Sequence, residues 1–234
     1  MKVVILCGGK GSRLRSVVSA VPKPLAPVGS KVFLEILINQ LYEIGVREVV
    51  LLSGYMHEKI SFFLDSYDSK EMKITNIVEE NPCGTGGALI NAFNLLQDGK
   101  YLCINGDTFF KDLNSDDLEI FYKNSIELTA ITNDVSEDNK PNRYGNFKIS
   151  KDRILLPTTA TQSFTTCIST GMYVFDKKSF LDLCNYSAPI SIEEILLNAI
   201  NDGRVVSTIK FQKPFIDIGI PGDYYDFVTS HICR

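Results

Sequence analysis

Asp107 and Asp217 each follow a short apolar run and stand within two positions of a glycine. Tyr101-Leu102-Cys103-Ile104 leads through Asn105-Gly106 to Asp107, and Phe215-Ile216 leads to Asp217-Ile218-Gly219. Two carboxylates delivered by separate strands, together with phosphate oxygens, would complete a Mg²⁺ site that keeps several waters. Taken singly, Asp107 also reads as a turn residue, since Gly-Asp is a common turn dipeptide. Two cations accompany the carboxylates. The run Val3-Val4-Ile5-Leu6 enters Cys7-Gly8-Gly9-Lys10-Gly11-Ser12-Arg13-Leu14, a loop stripped of side chains whose backbone N–H groups can approach an anion. Arg13 adds a planar cation there. Lys23 stands between Pro22 and Pro24, which fix the chain around it. Two cations near one bare loop suit a pair of substrates that both carry phosphate.

The glycine loop is not one of the two best-known phosphate fingerprints. The dinucleotide-binding pattern G-x-G-x-x-G needs glycine three positions after Gly11, where this chain has Leu14. A P-loop needs Gly-Lys-Ser/Thr, a tripeptide the chain does not contain. A third block, Glu79-Glu80-Asn81-Pro82-Cys83-Gly84-Thr85-Gly86-Gly87-Ala88, precedes a helical pattern. Its glycines and Thr85 can pack close to a flat ligand and open the helix with free N–H groups. Glu79 also reads as a solvated charge at a strand end.

In this order, the glycine loop, Pro22-Lys23-Pro24-Leu25 and the two aspartates resemble the signature of the nucleoside-diphosphate-sugar pyrophosphorylases, the sugar-1-phosphate nucleotidyltransferases. The resemblance covers nearly the whole chain. Asp217-Ile218-Gly219-x-Pro221 is similar to the family's Asp-Ile-Gly-Thr-Pro, with Ile220 where Thr is usual. Within the family the chain resembles most the D-glycero-α-D-manno-heptose 1-phosphate guanylyltransferases, through Leu14-Arg15-Ser16-Val17-Val18. The resemblance implies a transfer from GTP to a heptose 1-phosphate, giving GDP-heptose and pyrophosphate for surface-polysaccharide synthesis. It assigns catalysis to Arg13, Lys23 and Asp107, and Mg²⁺ to Asp107 and Asp217. It places the nucleotide at Leu6, Gly8, Gly9, Gly11, Ser12, Arg13, Glu79, Gly84, Thr85 and Asn105. Guanine offers two adjacent donors, N1–H and N2–H, which one carboxylate can accept, so Glu79 points to GTP; Glu80 is the alternative if the register is off by one.

The sugar phosphate falls, by the same resemblance, to Lys23, Tyr144, Gly145, Ser169, Thr170 and Glu193. Arg143-Tyr144-Gly145, Ser169-Thr170-Gly171-Met172-Tyr173 and Ser191-Ile192-Glu193 are similar to the family's Tyr-Gly, Asn-Ala-Gly-x-Tyr and Ser-Leu-Glu. Two departures stand out. Ser169 replaces the usual asparagine, and the usual Glu-Lys-Pro is absent from a region reading Ile154-Leu155-Leu156-Pro157-Thr158. Lys148 or Lys151 could replace the missing lysine, or Lys23 and Arg13 could suffice. The same transfer with mannose 1-phosphate, UTP, CTP or dTTP, and a non-catalytic nucleotide-sugar-binding module, stay as alternatives.

The elements that must position these groups read as α/β. Val3–Leu6, Val49–Leu52, Ile74–Val78 and Tyr101–Ile104 are expected as buried strands, with a helix over Phe33–Leu41 stopped by Gly45 and another over Ala88–Leu96. Such alternation implies a largely parallel sheet with ligands at the carboxyl ends of its strands. The fold implied by the resemblance is a three-layer Rossmann-like nucleotide-diphospho-sugar transferase fold, its central sheet mixed and mainly parallel. Downstream, strands are expected at Leu128–Thr132, Phe147–Ile149 and Gly171–Phe175, helices near Ile192–Ile200 and Tyr224–Ile232, and a mobile Thr/Ser-rich loop at Pro157–Thr166. The 234 residues are read as one domain, with a nucleotide half over about 1–112 and a sugar half over about 113–234.

Composition narrows the partners. A net charge of −4 disfavours nonspecific binding to nucleic acid or anionic membrane. No apolar stretch approaches the roughly 18 residues that span a bilayer. The four-residue apolar start reads as a strand, not a signal peptide. The six cysteines form no CxxC pair, which speaks against a zinc site and, in a chain this long, a disulfide framework. The cytoplasm is the expected compartment. GTP and a sugar 1-phosphate are the expected partners, with a homodimer allowed for.

Overall fold

The computed structural model describes residues 2–134, 146–151, 153–157, 163–183 and 188–232. In chain order the elements are β1 (Lys2–Cys7), β2 (Pro27–Val28), β3 (Lys31–Val32), α1 (Phe33–Glu43), β4 (Glu48–Ser53), α2 (His57–Ser66), β5 (Lys73–Val78), α3 (Gly84–Leu95), β6 (Lys100–Asn105) and β7 (Thr108–Phe110). There follow α4 (Ser115–Asn124), β8 (Leu128–Asp134), β9 (Asn146–Ile149), β10 (Leu155–Leu156), β11 (Thr165–Asp176), α5 (Lys177–Leu181), α6 (Ile192–Asn201), β12 (Ser207–Lys210), β13 (Phe215–Asp217) and α7 (Pro221–Ile232). This is the expected α/β architecture, with parallel and antiparallel strands and flanking helices. The chain divides into two compact units that are interleaved in sequence, each drawing on both the 1–112 and the 113–234 stretch.

The glycine-loop unit comprises residues 2–82, 104–115 and 213–232. Its strands β1, β4 and β5 are parallel and in register, Lys2 opposite Glu48 and Glu48 opposite Lys73. Val3, Val4 and Ile5 are fully buried, so β1 reads as a continuous apolar run and not as an alternating one. β5 differs from the expectation of a buried strand: Ile74–Ile77 are half-buried and Val78 is exposed, because β5 pairs with β4 alone and lies at an edge. α1 buries Phe33, Leu34, Leu37, Ile38 and Leu41, the predicted stripe. It ends where Gly45 takes φ +95°, with Val46 N–H donating to Leu41 O and Gly45 N–H to Tyr42 O. That paired closure needs a left-handed residue, which only glycine adopts without strain. β7 and β13 form a separate antiparallel pair, Thr108 opposite Asp217. α7 packs Phe227 against Phe33 and Phe109, with ring centroids 5.0 and 5.2 Å away.

The second unit comprises residues 83–103 and 116–212. Its long strand β11 pairs antiparallel with β8 and β9, and β12 adds to β8 in parallel. An aromatic cluster of Phe93, Tyr101, Phe175 and Phe180 fills the core beneath, Phe175 and Phe180 being 4.7 Å apart. β11 is longer than the expected Gly171–Phe175. Its register against β8 slips between Ser169 and Met172, and Gly171 sits there at φ +77°. The glycine that looks like a strand boundary in the sequence is a bulge inside one strand. The expected loop at 157–166 is likewise shortened: Thr165 and Thr166 already belong to β11, and residues 158–162 lie outside the described residues. Helices α2, α4 and α5 have no counterpart in the sequence reading.

Candidate active site

The carboxylate pair forms within the glycine-loop unit. β6 ends at Asn105, and Gly106 N–H then donates to Leu6 O. A Cβ at Gly106 would lie 2.7 Å from Leu6 O and 2.9 Å from Cys7 Sγ, so only glycine lets the chain pass this close to β1 and deliver Asp107. Asp217 ends β13, and its Oδ1 accepts from Gly219 N–H at 2.6 Å. Ile218 N–H donates to Asp107 O at 2.9 Å, tying the two aspartate segments together.

Lys23 reaches into this pair. Pro22 starts a short 3-10 turn, Lys23–Leu25, closed by Leu25 N–H to Pro22 O and Ala26 N–H to Lys23 O. Lys23 Nζ donates to Asp107 Oδ2 and lies 3.8 Å from Asp217 Oδ1. The lysine side chain is 12% exposed and each aspartate 23%. Burial raises the Asp217 carboxyl above its usual range, and the negative charge of Asp107 adds to this; Lys23, the Gly219 N–H and Arg13 offset part of it. Gly11, at φ +58°, packs on the lysine stem: a Cβ there would be 3.2 Å from Lys23 Cβ. The structure therefore brings together Lys23, Asp107 and Asp217, with Gly11 beside them and the charge of Arg13 felt at Asp217.

Two tethers absent from the sequence reading hold the segment after the glycine loop. Leu14 and Val18 are its buried anchors, and Arg13 and Ser12 are exposed. Arg15 donates to Tyr55 Oη and lies over the Tyr55 ring, 4.9 Å from its centroid. Lys59 Nζ donates to Ala20 O. No local sequence signal pairs these residues, because the partners are set by the path of α2.

Glu79 faces the glycine loop. Its N–H donates to Ser53 O at 2.7 Å, and its Oε2 lies so close to the backbone that a Cβ at Gly8 would be 3.0 Å away and one at Gly54 2.8 Å. Glu79 is half-buried and Glu80 exposed. Gly54 is a further glycine of this corner that sequence reasoning missed. Gly9 has open space where its Cβ would be.

In the second unit the Gly84–Gly87 block admits a neighbouring segment of backbone. A Cβ at Gly84 would fall 2.3 Å from Ile190 O, and one at Gly86 2.5 Å from Ile195 Cδ1. Gly86 and Gly87 N–H both donate to Ile190 O, and Thr85 Oγ1 accepts from Ile192 N–H. The N–H groups of Gly86 and Gly87, in the first turn of α3, are thus engaged by the segment leading into α6, and the glycines admit that backbone. Ser191 caps α6 reciprocally with Glu194 in a capping box.

The sugar-side candidates divide. Ser169 Oγ and Tyr173 Oη are 2.9 Å apart, Tyr173 Oη donates to Glu193 Oε1 at 2.5 Å, and Gly171 N–H donates to Ser169 Oγ. Tyr173 is 1% exposed and its hydroxyl is held protonated, its pKa raised well above the usual value by burial and then by the Glu193 charge. Thr170, also 1% exposed, donates to Ile131 O inside the bulge, so its hydroxyl is spent on the backbone. Lys148 lies over the Phe164 ring at 4.5 Å. Tyr144 and Gly145 lie outside the described residues. Among the described residues no helix is long and apolar enough to cross a membrane, and the side chains of Cys7, Cys83, Cys103 and Cys167 are buried.

The chain is similar to known nucleotidyltransferases along nearly its whole length. D-glycero-α-D-manno-heptose 1-phosphate guanylyltransferase of Campylobacter jejuni subsp. jejuni serotype O:2 is 32% identical over 99% of this chain and 100% of its own. The protein of the same name from Aneurinibacillus thermoaerophilus is 34% identical over 96% of this chain and 95% of its own. The crystal structure of HddC from Yersinia pseudotuberculosis superposes with a TM-score of 0.80 at 31% identity, covering 98% of both chains. It has also been solved in complex with GMP-PN. The nucleotidyl transferase family model matches residues 2–232, and the chain belongs to that family.

Proposed function

We propose that the enzyme transfers a guanylyl group from GTP to D-glycero-α-D-manno-heptose 1-phosphate, releasing pyrophosphate and GDP-heptose. The observation that carries this reading is the half-buried pair Asp107 and Asp217 with Lys23 between them, in the same unit as a bare glycine loop faced by Glu79. Two full-length relatives of that name support the sugar, and GMP-PN in the HddC complex supports the base. In the cytoplasm, where free buried thiols persist, the product would feed surface-polysaccharide synthesis.

The residues fit a divalent cation. Among the described residues no three His, Cys, Asp or Glu side chains are grouped to hold a metal. A pair of carboxylates completed by phosphate oxygens and water is the donor set Mg²⁺ favours. Bound to Asp107 and Asp217, it would supply neutralisation of the phosphate charge.

The chain's own residues do the rest. The attacking sugar phosphate is already anionic, so no general base is needed; the enzyme must align two anions and offset their repulsion. Arg13 and the N–H groups of the glycine loop hold the departing pyrophosphate. Lys23 takes the phosphate of the sugar. Glu79 accepts from guanine N1–H and N2–H, and Glu193, aimed by Tyr173, accepts from sugar hydroxyls.

Pyrophosphate release with Mg²⁺ across four NTPs and a set of sugar 1-phosphates tests the reading. GTP with the heptose 1-phosphate is expected to give the highest kcat/KM; preference for UTP or mannose 1-phosphate would overturn the assignment. Glu79→Gln puts a donor against a guanine donor and is expected to remove about 1.5–3 kcal/mol of GTP preference over UTP, roughly tenfold to a hundredfold.

A further inference from the structure

Lys23 is assigned to the sugar phosphate, yet its ammonium lies between Asp107 and Asp217. We infer that Lys23 and the divalent cation compete for this one pair of carboxylates, and that cation binding hands the ammonium over to the incoming sugar phosphate. The inference rests on the reading of Asp107 and Asp217 as the cation's ligands.

The geometry sets the two occupants against each other at the same carboxylates. Lys23 Nζ engages Asp107 Oδ2 and faces Asp217 Oδ1, while that same Oδ1 is fixed by Gly219 N–H. A Cβ at Gly219 would be 3.1 Å from Nζ, so the backbone closes the site behind the ammonium. A dication held by these two carboxylates would draw on the charge that now faces the lysine, and would repel the ammonium beside it. The stem of Lys23 cannot leave, being held by the prolines and by Gly11 against Cβ. Its terminal methylenes can swing, because lysine carries a point charge on a flexible chain. Lys23 therefore neutralises the carboxylates until a cation takes them, and is then turned outward, charged, for a phosphate.

This predicts opposite effects of one substitution on two ligands. Lys23→Met removes the competitor, so Mn²⁺ titrated alone, with free Mn²⁺ read by electron paramagnetic resonance, is expected to bind about tenfold tighter than to the wild type. The same variant should bind sugar 1-phosphate, titrated calorimetrically with Mn²⁺ present, about tenfold more weakly. Lys23→Arg keeps the charge and should leave Mn²⁺ affinity near the wild-type value. A lysine that merely braces the loop would weaken both ligands together. Unchanged or weaker Mn²⁺ binding by a folded Lys23→Met protein, as judged by circular dichroism and its urea transition, overturns the exchange. Asp107→Asn and Asp217→Asn separate the two layers. Should both retain wild-type Mn²⁺ binding, the carboxylate assignment itself falls; should they lose it while Lys23→Met shows no tightening, the exchange alone falls.

Discussion

Replacing Tyr173 with Phe tests whether the Ser169–Tyr173–Glu193 chain is a working part of the fold. The substitution keeps the ring, and with it the stacked contact on Phe175 at 5.6 Å and 13°, so packing is held constant. Two hydrogen bonds are lost. The one to the Glu193 carboxylate is charge-assisted and contributes about 1.5–3 kcal/mol, and the one to Ser169 is neutral and contributes about 0.5–1.5 kcal/mol. Ser169 Oγ still accepts from Gly171 N–H, and Glu193, half-buried, recovers part of its loss from water. The expected net destabilisation is therefore about 2–3 kcal/mol. Urea unfolding at pH 7, where Tyr173 is a protonated donor, should show a lower midpoint with an unchanged slope. A double-mutant cycle with Glu193→Gln should return a loss smaller than the sum of the single losses. A loss below about 0.5 kcal/mol for Tyr173→Phe, or strict additivity in the cycle, would refute the claim that the hydroxyl holds Glu193.

Gly84→Ala should destabilise the protein by about 2–5 kcal/mol, the sum of left-handed strain at φ +79° and overlap with Ile190 O; unchanged urea stability with a raised nucleotide KM would return this glycine to a purely ligand-facing role. Alkaline pH should also unfold the protein. Burial pushes the Cys167 thiol from its usual 9.0 up to about 11, raises Cys7 and Cys103 as well, and raises Tyr173. The unfolded chain then loses these protons first, so stability is complete below pH 9 and falls as pH rises through the folded values. Urea transitions at pH 8 and pH 10 measure this, and rapid labelling of native Cys7, Cys103 or Cys167 by iodoacetamide at pH 8 would contradict it.

What could be read in the sequence was whatever chain-local chemistry dictates. The run Val3–Leu6, the stripe Phe33–Leu41 with its Gly45 stop, and the aspartates at strand ends depend on neighbours within a few positions, and each appears where expected. The bulge at Ser169–Gly171 depends instead on how β8 registers opposite it, which no window of β11 reveals. Gly84–Gly87 shows the same limit: small residues announce a close approach but not the approaching group, here Ile190 from far along the chain. The tethers Arg15–Tyr55 and Lys59–Ala20 join segments whose proximity follows from the placement of α2, an element whose weak periodicity hid it.

The pairing of β13 with β7 has a consequence for the protein as it is made. The glycine loop, Lys23 and Asp107 leave the ribosome long before Asp217, and until β13 arrives β7 has no antiparallel partner. A chain made only as far as β12 thus has Lys23 and Asp107 but lacks the second carboxylate. Closing so long a loop adds little to its entropic cost, because that cost grows only with the logarithm of length. Timing is what changes: at a synthesis rate of about 5–20 residues per second, Asp217 is made roughly 5–20 seconds after Asp107. A ribosome that stalls before Phe215 leaves a chain that has every glycine of the loop, Lys23 and Asp107, but not Asp217.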